Sequence, residues 1–381
     1  MARIAIVHDY FTQQGGAERV AGELYGMFPK ADLYSTVAFP EMLPPGLTGT
    51  MVRTSWIQSL PGMRKYYRLY FAVYPLGVQS IDLSEYDLVI TSSSGYAKGV
   101  QTRSNAIHLC YCHTPMRWAW RFDDYAERAR IGLGSRIALP ALLKALRAWD
   151  RNASRQPDQF VANSAVVARR IELIYNRHAV VIPPPIDVRR FQISSNQQDY
   201  FLVVSRLVPY KRIDLAIAAC NLASKPLKII GVGPDRKRLE QLAGPTIEFL
   251  GRLPDSDTQR YASECRALLF PGEEDFGMVP LELAAAGRPT IAFRGGGATE
   301  TVIDGTTGLF FDKADARSLA AAMEEFELRS WSPSILRNHA EKFDIPVFRQ
   351  RFLNLLDSLG ASLELGDSVM SDKVLGRAIA S

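Results

Sequence analysis

Two doubly wound α/β domains, each a parallel sheet with helices on both faces, are what this sequence predicts. Three observations carry that expectation. Short apolar runs rich in β-branched residues alternate with helical stretches from end to end, and such alternation builds parallel sheets. The chain has 381 residues, 47% of them hydrophobic and 22% charged, so it is globular and too long for one ordinary core. One proline cluster, "VVIPPPIDVRRF" at 180–191, interrupts the alternation, because three prolines continue neither a helix nor a central strand.

The elements follow in order. "RIAIV", "YDLVITS", "AIHLCYC" and "QFVANS" read as buried strands of a first domain, residues 1–185. "YFLVVSR", "LKIIGVG", "IEFLG", "ALLFPG" and "PTIAFRG" read as those of a second, residues 186–345. Between them, segments such as "RIDLAIAACNLAS" and "SDTQRYASECRALL" repeat apolar residues at helical spacing. A last helix over 346–360, within "DIPVFRQRFLNLLDSL", follows the final strand and is expected to pack back on the first domain. Residues 361–381 lose periodicity and read as a mobile tail.

Composition narrows the function classes. A formal net charge of +5 suits anionic small molecules or an anionic membrane face and argues little for nucleic acid. The four cysteines, Cys110, Cys112, Cys220 and Cys265, form no disulfide framework, which fits a reducing cytoplasm. Cys110 and Cys112 share one strand face as small buried hydrophobes, with no second pair at metal-ligand spacing. "MARIAIVHDY" is a short strand rather than a signal peptide. No run reaches the roughly 18–20 apolar residues of a spanning helix.

Two basic, aromatic segments, "MRKYYRLYFAVYPLG" at 63–77 and "RIALPALLKALRAWDRNASR" at 136–155, stand out in the first half. They read either as core-facing helices with solvated Lys and Arg or as amphipathic helices lying on an anionic membrane.

In open α/β sheets, ligands bind beyond the C-terminal ends of the strands. "YFLVVSRLVPYKR" places Arg206 and Lys211 there, a planar fork and a mobile point charge able to neutralise a diphosphate. They read equally as two solvated turn cations. Gly15 and Gly16 precede a helix near Ala17, where backbone N–H groups can approach an anion at the positive helix end. Gly231 and Gly233 in "GVGP" are half a dinucleotide fingerprint, too little for NAD. Asp255-Ser256-Asp257 has metal-ligand spacing but opens a helix, so capping is the expectation. "YCHTPMRWAW" puts His113 just past a strand, followed by Arg117 and Trp118.

"EEDFGMVPLE" at 273–282 carries Glu274 on a loop and Glu282 one turn into a helix from about Met278 to Ala286, with Pro280 tolerated in the first turn. That electropositive helix end favours ionised carboxylates and disfavours a raised-pKa general acid. Ionised carboxylates are hydrogen-bond acceptors, suited to gripping sugar hydroxyls.

Together these stretches resemble the family-4 (group 1) retaining glycosyltransferases of the GT-B fold, two Rossmann-like domains facing across a cleft. The signature, Glu274 to Glu282 in "EDFGMVPLE", is joined by "GGAER", "HTPMRW", "SRLVPYKR", "GVGP" and "GGGATETVIDGTTGLFF". The resemblance implies an acceptor-binding first domain and a nucleotide-sugar-binding second domain. Glu274 would orient the donor sugar and Glu282 hold the ribose. Arg206 and Lys211 would stabilise the leaving diphosphate, helped by the Gly15 and Gly16 amides, and His113 would support the transition state. Phe276, Gly277, Met278, Val279 and Gly233 would line the sugar and phosphates, with Arg252 and Leu253 at the base. Arg117 and Trp118 would meet the acceptor.

The family usually needs no metal or other cofactor. Within it, "HDYFTQQGGAERV" with "HTPMRW" is most similar to bacterial GDP-mannose-dependent mannosyltransferases of exopolysaccharide or O-antigen assembly, with a lipid-linked oligosaccharide acceptor on the inner face of the plasma membrane. A UDP-sugar donor, a sugar-nucleotide epimerase, a phosphorylase and a non-catalytic sugar-nucleotide-binding module are the alternatives.

Overall fold

A computed structural model describes residues 2–121 and 133–361, the side chains of 133–138 excepted. The expected mobile tail from 362 on and the Arg136 side chain lie outside the described residues. The chain divides into two compact units. One runs to Pro185 and resumes at Pro346; the other is Ile186–Ile345.

The first unit holds seven strands: β1 Ile4–His8, β2 Asp32–Ser35, β3 Val52–Thr54, β4 Leu88–Ser93, β5 Ile107–Cys112, β6 Gln159–Ala162 and β7 Ala179–Val181. Every pairing is parallel, in the order β3-β2-β1-β4-β5-β6-β7. The order runs outward from β1 and then restarts at β4, so the switch point of this doubly wound sheet lies between β1 and β4. Ile6, Ile90, Leu109 and Tyr111 line one face under the helix Gly16–Met27, and Phe348, Phe352, Leu353 and Leu356 complete that core. The helix Ile345–Ser358 therefore packs on the first unit, and Arg349 reaches Glu23 at 3.3 Å. On the strand β5, Cys110 and Cys112 are buried free thiols.

The second unit holds β8 Phe201–Val204, β9 Leu227–Ile230, β10 Ile247–Gly251, β11 Leu268–Phe270, β12 Thr290–Phe293 and β13 Gly308–Phe311, in the parallel order β10-β9-β8-β11-β12-β13. Its switch point lies between β8 and β11. Residues Leu202, Leu268 and Ala292 face one apolar layer; Val203, Leu269 and Ile291 face the other. Strands buried on both faces explain the continuous apolar runs.

Of the two basic segments, the first departs from a simple helical reading and the second is a helix. Residues 63–79 form three short pieces, Met63–Tyr66, a 3-10 turn Leu69–Ala72, and Tyr74–Gln79. Pro75, with no N–H, opens the third piece instead of continuing the second. Residues 133–153 are one helix, in which Leu143 and Leu146 are buried. Two of its cations serve the unit itself: Arg147 and Arg151 stack on Trp120 at 5.7 and 4.7 Å. On the same helix Asp150, fully buried, pairs with Lys98 at 2.5 Å and accepts from Trp120 Nε1 and Tyr175 OH, each at 2.7 Å. Among the described residues no helix is long and apolar enough to cross a membrane.

Candidate active site

In the second unit, the loops leaving β8 and β11 flank the switch point, where open α/β sheets take ligands. After β8 the chain passes Arg206, makes a 3-10 turn at Pro209–Lys211, and enters the helix Ile213–Ala223 through Arg212, held in the left-handed region at φ 53°. A non-glycine residue there costs about 1 kcal/mol and is found where surrounding structure enforces it. The enforcing contact is visible at Gly272, in the loop after β11. A Cβ on Gly272 would lie 2.7 Å from the Lys211 carbonyl oxygen and 2.8 Å from its Cα. Only glycine lets the two loops meet backbone to backbone.

That approach brings Lys211 and Glu274 together. Their side chains form an ion pair, each largely shielded from solvent. Arg206 is exposed beside them, its guanidinium donating to the Tyr210 hydroxyl at 3.2 Å, while Lys211 Nζ lies 5.4 Å from the centre of the Tyr210 ring. Tyr210 thus ties the two cations to one turn. Sequence reading passed over it, although a tyrosine between two cations in "SRLVPYKR" was the available signal.

The acidic loop is fixed from its other side as well, since Gly297 N donates to the Glu274 carbonyl at 2.8 Å. Gly277 (φ 92°) then caps the helix Met278–Ala285, which carries Glu282 in its second turn, as expected. Phe276 differs from expectation in part: its ring is buried, 6.0 Å from Phe343, so only its main chain can line a ligand site. Met278 and Val279 are half-buried against the same core. Gly233 serves packing, because a Cβ there would stand 2.2 Å from the Leu207 carbonyl oxygen. Next to that loop, Gly231 N donates to the Gly251 carbonyl at 2.7 Å, which places exposed Arg252 and half-buried Leu253 at the neighbouring strand end.

The Asp255-Ser256-Asp257 stretch requires a correction. It lies in the first turn of Asp255–Glu264, but the N-cap is Pro254 and no side chain caps the helix. Asp255 pairs instead with Arg190, and Asp257 with Arg260 at 3.7 Å. Both acids still favour the positive helix end through charge. Among the described residues no group of three or more His, Cys, Asp or Glu side chains is arranged to hold a metal ion.

In the first unit, the helix Gly16–Met27 starts at the N-cap Gly15, as the Gly-Gly pair predicts. Its first turn already holds a carboxylate. Glu18 is 2% exposed, accepts from Gln13 Nε2 at 3.2 Å, and leaves Oε2 buried without a hydrogen bond. That oxygen would sit 2.8 Å from a Cβ on Gly15. The positive end assigned to a phosphate is thus already faced by an internal anion.

His113 follows β5 and is fastened on three sides. Its backbone N–H donates to Ser93 O at 2.8 Å, its carbonyl accepts from Asn163 Nδ2 at 2.9 Å, and its Nε2 lies 2.8 Å from Ser92 Oγ. Burial, with His8 nearby, pushes its pKa down to about 3, so the ring is neutral. Arg117 and Trp118 open the short helix Arg117–Trp120, where Trp118 meets Phe71 edge-on at 5.1 Å and joins an aromatic cluster with Tyr96.

Comparison with known proteins gives the family and the fold. The family described as Glycosyltransferase Family 4 matches residues 14–190, and Glycosyl transferases group 1 matches residues 186–343. An uncharacterized glycosyltransferase of Methanocaldococcus jannaschii is 31% identical over 180 residues, 45% of this chain and 50% of that one. A GDP-mannose-dependent alpha-(1-6)-phosphatidylinositol monomannoside mannosyltransferase of Mycolicibacterium smegmatis is 27% identical over 172 residues, 37% of this chain and 45% of that one. The chain spans about half the length of these curated relatives. Among solved structures, Anabaena HepE in complex with UDP superposes with a TM-score of 0.67 at 19% identity, covering 93% of this chain and all (100%) of that one. Sucrose-phosphate synthase of Thermosynechococcus elongatus does so with 0.69 at 16%, covering 95% and 100%. With two sheets of GT-B type and both halves matched, the chain belongs to the family-4, group 1 glycosyltransferases.

Proposed function

We propose that this protein is a metal-independent retaining glycosyltransferase that moves a hexose from a nucleotide-sugar donor, with mannose from GDP-mannose the first choice, onto a polyprenyl-diphosphate-linked saccharide. The observation that carries the reading is the Lys211–Glu274 pair beside Arg206 at the switch point of the second sheet. It joins two cations, matched to a diphosphate, with one carboxylate, matched to sugar hydroxyls.

In this reading Arg206 and Lys211 offset charge on the leaving diphosphate as the bond from the sugar's C1 to phosphate oxygen breaks. The acceptor oxygen bonds to C1 on the same face, and its proton passes to the departing phosphate oxygen. Glu274 holds the sugar, Glu282 the ribose, and Arg252 and Leu253 flank the base. His113 acts as a neutral hydrogen-bonding group toward the sugar. Arg117 and Trp118 meet the acceptor. Exposed Tyr66, Leu69 and Leu76 beside Arg64, Lys65 and Arg68 support a peripheral seat on an anionic membrane, where a lipid-linked acceptor would be found.

A UDP-sugar donor is the second reading, favoured by the UDP held in the Anabaena structure. Turnover of GDP-mannose and UDP-glucose against a lipid-diphosphate saccharide, with and without EDTA, tests both. Faster release of GDP, unchanged by chelator and with the anomeric configuration kept, is expected. Loss of activity in EDTA overturns the metal-independent mechanism, and a changed sugar without acceptor points to an epimerase.

A further inference from the structure

Three side chains at the C-terminal edge of the first sheet form a chain of which the proposed chemistry uses only the last, His113. His8 ends β1, Ser92 stands opposite it on β4, and His113 follows β5. His8 Nδ1 lies 3.0 Å from Ser92 Oγ, and Ser92 Oγ lies 2.8 Å from His113 Nε2. Ser92 is fully buried, His8 is 2% exposed, and His113, at 8%, is the least enclosed of the three.

A serine hydroxyl has one proton to give and lone pairs to accept. Suppose both rings donated to Ser92. Its own proton would then be buried with no acceptor among the described residues, a cost comparable to a lost hydrogen bond. Suppose neither ring donated. Ser92 could then satisfy only one, and the other nitrogen would face an oxygen lone pair. Two arrangements remain. Either His8 Nδ1–H donates to Ser92 and Ser92 donates to His113 Nε2, or His113 Nε2–H donates to Ser92 and Ser92 donates to His8 Nδ1.

The geometry points to Ser92 and His8 as positioning residues for His113: through the shared hydroxyl, His8 sets whether the remaining nitrogen of His113, Nδ1, donates or accepts toward the substrate. In the first arrangement His113 carries its proton on Nδ1 and donates outward; in the second Nδ1 is bare and accepts. The consequence for catalysis rests on the glycosyltransfer reading, but the coupling itself does not.

The test separates the two. Long-range 1H–15N spectra of the histidine-labelled wild-type chain report the tautomer of each ring. Both neutral rings should carry the proton on the same-named nitrogen, both Nδ1 or both Nε2. A mixed pair overturns the coupling whatever the enzyme does. In Ser92→Ala, His113 should show an average of both tautomers, and in Ser92→Thr a single one again. A single unchanged tautomer in Ser92→Ala also overturns it. In the transfer assay Ser92→Ala should lower kcat about tenfold, the worth of one oriented hydrogen bond, with little change in donor KM, and Ser92→Thr should recover most of the loss. Equal losses in the two variants overturn the positioning role. Absence of transfer by the wild type overturns the function while the spectra still decide the coupling.

Discussion

Lys211 and Glu274 meet as an ion pair across the switch point of the second sheet, one delivered by the loop after β8 and the other by the loop after β11. Each therefore orients the other before any ligand arrives. Lys211→Ala should lower kcat by about 10²–10³, the usual cost of one aimed charge-stabilising donor, and Glu274→Ala should lose most of kcat. Because the two residues touch, the double variant should cost clearly less than the sum of the singles in free energy. Steady-state kinetics of the four enzymes close the cycle. Strict additivity would mean that Lys211 and Glu274 act independently and that their contact does not contribute to transfer.

Tyr210 offers a finer probe of the same turn. Its hydroxyl accepts from Arg206 at 3.2 Å, and its ring lies 5.4 Å from Lys211 Nζ. Tyr210→Phe keeps the ring and releases only the guanidinium. Nucleoside diphosphate binding, followed by calorimetry, should weaken by about three- to tenfold, the net worth of one ordinary hydrogen bond at an exposed side chain. An unchanged affinity would show that Arg206 needs no such tether.

How much of this was legible in the sequence depends on what each residue needs. Strands buried on both faces announce themselves as apolar runs, so nine of the strands are visible, from "RIAIV" to "PTIAFRG". The short strands Asp32–Ser35, Val52–Thr54, Ala179–Val181 and Gly308–Phe311 are not: the first three lie toward or at an edge and carry mixed, part-exposed residues, and the fourth is a four-residue edge strand that begins on a glycine. Arg206, Lys211 and Glu274 could be placed because their type and position after a strand imply charge chemistry. Glu18, Ser92 and His8 could not, since their roles depend on neighbours distant in sequence or on burial; Tyr210, with both partners in its own turn, was legible in "SRLVPYKR". The capping assigned to Asp255-Ser256-Asp257 failed for a related reason: Arg190 and Arg260 were available as partners, and spacing alone does not show them.

The buried Lys98–Asp150 pair should dominate the stability of the first unit's helical side. Burial pulls the Lys98 pKa down, but Asp150 more than offsets this through charge and hydrogen bonding, so the net shift is upward and the ammonium stays charged. Asp150→Ala strands that charge, along with the Trp120 indole and the Tyr175 hydroxyl. Removing one partner of a buried pair costs about 3–5 kcal/mol. Urea unfolding at pH 7.5 should show a loss of this size, and a far smaller one for the exposed pair variant Arg260→Ala. A small effect at Asp150 would mean that water reaches the pair.

Two buried histidines set the acid limit of the fold. Burial holds His108 down to about 4 and, with His8 adding to it, His113 down to about 3, against an ordinary 6.5. Below pH 6.5 the unfolded chain binds a proton at each site, while the folded chain binds neither until the pH approaches the lowered values. Their contribution to stability is therefore intact above pH 6.5 and is lost as pH falls from there toward 4 and 3. The slope is about 1.4 kcal/mol per pH unit for each histidine. At pH 5, 1.5 units below the ordinary value, the loss is about 2 kcal/mol per site. Urea midpoints measured from pH 7.5 to 5 should fall accordingly, and His108→Gln, which removes one of the two protonation sites, should cut the fall by roughly half. The same slope in His108→Gln as in the wild type would assign the acid sensitivity to carboxylates instead.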